Sequence, residues 1–93
     1  MRIYAKKEQW KRVSKNLNLI KLPSKRNKIG EKMKHFSIQL NAPNFYPRVH
    51  IITRMVHGYK DVQIDVHVDN TPHSDVIYSH TKIDSIINAF KNS

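Results

Sequence analysis

The sequence predicts an α+β domain, a two-layer sandwich in the order α-β-β-β-α, and three observations carry that expectation. An apolar stripe at helical spacing runs through the first twenty residues. Three segments between 35 and 69 are strand-like, with apolar and polar residues sorted to opposite faces. A second helical stripe lies near the end, over about 82–91. Ninety-three residues hold one core, so 1–93 is read as a single domain. Its halves differ: a basic N-terminal helix and arm over 1–34, then a neutral β-meander with a C-terminal helix over 35–93.

The first helix is expected from Ala5 to Leu19, with Trp10, Val13, Leu17 and Ile20 on one face at steps of three and four. Trp10 is in phase with Val13 and Leu17, which assigns it to the core. Lys7, Lys11 and Lys15 share another face, and like charges at that spacing weaken an isolated helix slightly. Met1 to Tyr4 also fits a short leading strand. Residues 21–34 contain Pro23, Gly30 and six basic residues with little periodicity, and are read as a basic loop or mobile arm.

Three strands of an antiparallel meander follow. The first covers 35–41, with Phe36, Ile38 and Leu40 opposite His35, Ser37 and Gln39. Prolines in 41–47 bar continuation of the ladder. The second covers 48–56, with Val49, Ile51, Thr53 and Met55 opposite Arg48, His50, Ile52 and Arg54. Gly58 lies in a short connection suited to a hairpin. The third covers 62–69, with Val62, Ile64, Val66 and Val68 inward and Gln63, Asp65, His67 and Asp69 outward to solvent. Thr81 is expected to cap the last helix, and Ile83, Ile86, Ile87 and Phe90 form its stripe. Both helices then cover one face of the sheet and leave the other open.

Charge is segregated. Residues 1–34 hold twelve of the seventeen Lys and Arg and only Glu8 and Glu31 as acids, whereas 35–93 balance five against five and carry all six histidines. Self-repulsion on this scale costs stability unless a partner supplies counter-charge. The expected function is therefore polyanion binding, with nucleic acid (RNA or DNA) first. The grip would come from Lys7, Lys11 and Lys15 on the helix and from Lys25, Arg26, Lys28 and Lys32 in the arm. The alternative is a protein-interaction or inhibitor module that binds an acidic partner surface. A membrane partner is not expected, because helix 1 has no apolar face beyond what the core needs.

The second alternative is a small histidine- or metal-dependent nuclease on the open sheet face. Asp65, His67 and Asp69 fall on that face at two-residue steps, and His50 and His35 can project onto it from neighbouring strands. Surface strands carry such residues routinely, and sequence does not fix cross-strand register. No catalytic residue, metal ligand or cofactor is therefore assigned, and enzymatic activity is left open. The chain has no cysteine, and its N-terminus lacks the apolar run of a secretory signal, which points to the cytoplasm.

The α-β-β-β-α order is similar to that of the double-stranded-RNA-binding domain. In that family a lysine cluster opens the second helix, where this chain reads Ser79-His80-Thr81-Lys82. The resemblance is topological, and topology alone implies no function.

Overall fold

The structure, a computed structural model, describes residues 2–40, 47–69 and 81–92. The elements run β1 (Arg2–Lys6), α1 (Lys7–Ser14), β2 (Ile20–Arg26), β3 (Lys32–Gln39), β4 (Arg48–Val56), β5 (Asp61–Asp69) and α2 (Thr81–Lys91). The fold is α+β as expected, but the order is β-α-β-β-β-β-α rather than α-β-β-β-α. One five-stranded antiparallel sheet takes the place of a three-stranded meander, in the spatial order β1-β5-β4-β3-β2. The topological likeness to the double-stranded-RNA-binding domain falls with that change.

Both additional strands are edges. β1 takes the leading-strand alternative, pairing Ile3 with Ile64 and Ala5 with Val62. β2 replaces the expected arm and pairs with β3 through Ile20–Ser37, Lys21–Phe36 and Leu22–His35, then resumes at Lys25–Met33 after a bulge. Pro23 falls within that bulge, and an edge strand tolerates the missing N–H. Only Leu22 in β2 is even half-buried, so the strand has no apolar alternation to betray it.

The hairpin tip between β2 and β3 is closed by its own side chains. Asn27 Oδ1 accepts from the amides of Ile29 and Glu31, at 3.2 and 2.9 Å, while Gly30 supplies the left-handed backbone at φ 83°. Arg54 then fastens the tip to the sheet, donating to Glu31 Oε1 at 2.9 Å and Gln63 Oε1 at 2.8 Å.

α1 is shorter than the Ala5–Leu19 expectation. After Ser14 the chain tightens, with Asn16 and Leu17 donating three residues back, and Asn18 turns it at φ 52° into β2. Leu17 still packs on the core, but Ile20 does not join the stripe; it is 45% exposed on the edge strand. α2 matches expectation within a residue, with Ile86, Ile87 and Phe90 buried. The side chain of Thr81 and the residues before it lie outside those described, as does the 41–46 connection.

The register places Ile3 and Ala5, Val62 to Val68, Val49 to Met55, and Phe36 and Ile38 on one sheet face at alternate positions. Val13 of α1 and Ile86 and Phe90 of α2 complete a single cluster with them, so both helices cover that face. Trp10 is a core residue, as its phase predicts. It stacks on Phe90 at a 6.2 Å centroid separation and leans on Phe36 at 5.7 Å. Gln9 Nε2 donates to the Phe90 carbonyl at 2.7 Å, satisfying an acceptor at the end of α2. On the other face Gln63 points outward as expected, yet it is only 4% exposed. Tyr4, Arg54 and Asp65 enclose it in a hydrogen-bonded layer.

Candidate functional site

The acids of β5 are each matched by a cation: Arg2 to Asp65 and Lys6 to Asp61 at 2.9 Å, and Arg48 to Asp69 at 3.2 Å. Lys6, and after it His57, holds the Asp61 carboxyl below its usual range by hydrogen bonding. Of the twelve cations in 1–34, the ten other than Arg2 and Lys6 are all exposed, and none makes an ion pair among the described residues. The excess charge is thus carried by α1, β2 and the start of β3.

Each cation expected to bind has a defined place. Lys7 and Lys11 lie on α1 and Lys15 caps its C-terminal end. Lys25 and Arg26 lie on β2, Lys28 in the hairpin tip, and Lys32 opens β3. They do not form one patch. Arg26 and Lys32 line a cleft of about 740 Å³ between the β2–β3 and β4–β5 tips, together with Lys34. Lys15 and Lys21 line a second, smaller hollow beside Trp10 and Phe36. Lys7, Lys11, Lys25 and Lys28 line neither.

Arg26 and Lys32 are direct cross-strand partners. Like charges so placed repel, and neither has a carboxylate of its own, because Glu31 is engaged by Arg54 and Asn27. Lysines on an edge strand can be explained as protection against strand pairing, which accounts for Lys21 and Lys25 on β2. Lys32 and Lys34 belong to β3, which lies between β2 and β4 and has no free edge to protect.

Sequence reasoning missed Lys34 as a site residue, and it missed Tyr59. Tyr59 lines the cleft from the β4–β5 tip, is 75% exposed, and has a left-handed backbone at φ 67°. His57 and Gly58 before it are also left-handed, at φ 53° and 65°, and His57 Nδ1 is anchored on Asp61 Oδ2 at 2.8 Å. Two consecutive left-handed residues suit a tight hairpin, but a bulky non-glycine residue there is strained. A tyrosine within a four-residue connection next to glycine was the available signal, since such a residue has no core to enter.

The open face carries a second constellation. The register sets His50 opposite His67 on β5 and Ser37 on β3, with His35 one alternation along β3. The rings form a row: His35 Nδ1 lies 2.9 Å from His50 Nε2, and His50 Nδ1 lies 3.1 Å from His67 Nε2. Asp69 closes it, with its oxygens 2.9 Å from His67 Nε2 and 3.2 Å from His50 Nδ1. Burial, with lesser repulsion from neighbouring cationic groups, holds the His50 pKa down at about 4 despite the opposing pull of Asp69. His35 is lowered too, first by burial and then by Lys25 and Arg48. Asp65, grouped with these residues from sequence, is instead occupied by Arg2 and Gln63.

Comparisons of this chain with protein-family models, with curated proteins and with solved structures find no match. Among the described residues, no helix is long and apolar enough to cross a membrane.

Proposed function

We propose that this domain binds nucleic acid, RNA or DNA, in the cleft between its two hairpin tips. Arg26, Lys32 and Lys34 would take backbone phosphates there, and Tyr59 would stack on a base. One observation carries the reading: Lys32 and Lys34, with no acidic partner among the described residues and no edge to protect, share a cleft with a solvent-facing aromatic ring. Phosphate neutralisation combined with aromatic stacking is how single-stranded nucleic acids are held. The cleft volume also falls within the roughly 300–1,000 Å³ typical of ligand sites. Lys7, Lys11, Lys15, Lys25 and Lys28 act on this reading as a diffuse field that attracts the polyanion.

The test is binding of short single-stranded and duplex oligonucleotides, followed by fluorescence anisotropy over a range of salt concentrations. Each phosphate contact contributes about −0.7 to the slope of log affinity against log salt on a single strand. Lys32→Gln with Lys34→Gln should make that slope shallower by about 1.4. Lys21→Gln with Lys25→Gln, on the edge strand outside the cleft, should change it less. Weak binding by the unaltered chain with no salt dependence would refute the proposal. Binding of an acidic polypeptide but of no oligonucleotide would favour a protein partner.

A further inference from the structure

We propose that His50, His67 and Asp69 form a divalent transition-metal site on the open face of the sheet, with His35 positioning the His50 ring. The ligand atoms already have the spacing such an ion imposes. His50 Nδ1 lies 3.1 Å from His67 Nε2, Asp69 Oδ1 lies 2.9 Å from His67 Nε2 and Asp69 Oδ2 lies 3.2 Å from His50 Nδ1, and one ligand atom from each residue falls within 4.8 Å of the others. Around an ion with ligands at about 2.0–2.1 Å, neighbouring donors lie about 3.3 Å apart in a tetrahedron and about 3.0 Å apart on an octahedral face. The three closest contacts are on that scale.

The proton arithmetic leaves a place for an ion. With both rings neutral, each can turn an N–H toward Asp69, but the two N–H groups then face each other across 3.1 Å. Moving one proton to the far side of its ring relieves that clash but sets a bare nitrogen beside a carboxylate oxygen, and moving both leaves two lone pairs converging with the carboxylate. A metal ion accepts all three donors at once. His67 then carries its proton on Nδ1. His50 carries its own on Nε2 and donates it to His35 Nδ1 at 2.9 Å. His35 in turn keeps its proton on Nε2. No proton is released overall, since each neutral ring changes only its tautomer. A ligating histidine whose other nitrogen is fixed by a hydrogen bond is the usual arrangement around protein-bound metals.

The support is rigid and one side is open. The ligands stand on β4 and β5, adjacent strands in the interior of the sheet, and Arg48 Nε holds the Asp69 carboxylate at 3.2 Å. The His50 side chain is 14% exposed, whereas that of His67 is 44% exposed, which leaves an approach for the ion and for water. Two imidazoles and one carboxylate suit zinc, nickel or copper better than calcium or magnesium. The nearby Arg48 charge adds to that preference, because it penalises ions held by charge attraction alone. None of these residues lines the cationic cleft, so the site does not depend on the nucleic-acid proposal.

The experiment uses the full chain without a histidine tag, stripped with chelator and titrated with zinc chloride by calorimetry. Imidazole nitrogen NMR reads the tautomers in parallel. Zinc should bind at about one equivalent through this site, with His50 coordinated at Nδ1 and His67 at Nε2. His67→Ala, at an exposed ring, should keep the fold by circular dichroism and weaken zinc binding about 100-fold or more, while His35→Phe should weaken it about 10- to 100-fold. His57→Ala, whose ring pairs with Asp61 at the β4–β5 tip, should leave affinity unchanged. Zinc affinity unaltered by His67→Ala would overturn the proposal. So would no binding by the unaltered chain at millimolar zinc, or coordination by nitrogens other than these two.

Discussion

Replacing Tyr59 by glycine should raise stability and lower nucleic-acid affinity together. Tyr59 has φ 67° and is 75% exposed, so its side chain contributes little burial while its backbone occupies a region that suits glycine. Relief of that strain, less the greater freedom of glycine in the unfolded chain, leaves a gain of about 0.5–1 kcal/mol. For a chain of this length, that corresponds to a rise in Tm of about 2–8 °C. Loss of a stacking platform should cost about 1–3 kcal/mol of binding, or about 5- to 150-fold in affinity for a single strand. Urea or thermal unfolding gives the first quantity and anisotropy titration at fixed salt gives the second. Ordinary damage to the turn would lower both quantities, so their opposite signs are the diagnostic result. A drop in stability beyond about 1 kcal/mol would show that the ring supports the tip. Unchanged affinity with raised stability would remove Tyr59 from the binding surface.

Three further outcomes test the fold and its electrostatics. Ile51→Ala, at a side chain with 0% exposure, should cost about 2–5 kcal/mol in urea unfolding, whereas Ile20→Ala, on the edge strand at 45% exposure, should cost less than about 1 kcal/mol. Equal costs would contradict the placement of Ile20 outside the core. Gln63→Ala should cost about 1–3 kcal/mol, because Arg54 Nη2 and Tyr4 lose their shared acceptor in a half-buried layer; a neutral result would mean that water replaces it. For metal-free protein, the lowered His50 pKa makes the unfolded state bind more protons between about pH 6.5 and 4. Stability should therefore fall as pH drops through that window and level off below it. After a discount for the solvent-facing side of the ring, the loss is about 1–2 kcal/mol. His50→Gln should flatten this part of the profile in chelator-treated samples.

What sequence reveals here follows burial. β4, β5 and α2 each have one buried face, and their periodicity located them to within a residue or two. The edges leave no such trace. β2 is exposed along nearly its whole length, so cations and a proline read as an arm although its backbone pairs with β3. β1 is five residues long and runs straight into α1 at Lys7, so Met1 to Tyr4 read only as an alternative leading strand and Ala5 was assigned to the helix. Asn18 was the signal that α1 stops early, because Asn readily takes the left-handed turn that Leu17 and Leu19 do not. The histidine row was half legible. Alternation put His35, His50, His67 and Asp69 on one face, but only cross-strand register brings His50 opposite His67 and leaves Asp65 to Arg2.

Local rules are broken in this domain at a few identifiable places. Arg26 faces Lys32 across a hairpin, His57 and Tyr59 hold left-handed backbone, and imidazole nitrogens converge beside a carboxylate. A chain of this length has a narrow stability margin, so each departure needs a compensating interaction, and such departures concentrate where proteins act. The first two flank one cleft, and a bound phosphate strand would neutralise the repulsion and use the strained tyrosine. The third lies elsewhere on the sheet. Along β4, His50 is three residues from Thr53, a cleft residue and the strand partner of Lys34, which is about 10 Å at about 3.3 Å per residue. That distance is comparable to the ~8–10 Å screening length at ordinary salt, and Lys34 and His35 alternate to opposite faces of β3, so an ion in the row and an anion in the cleft should influence each other only modestly. The two proposals can therefore fail separately: zinc should leave oligonucleotide affinity nearly unchanged, and glutamine at Lys32 and Lys34 should leave zinc affinity nearly unchanged.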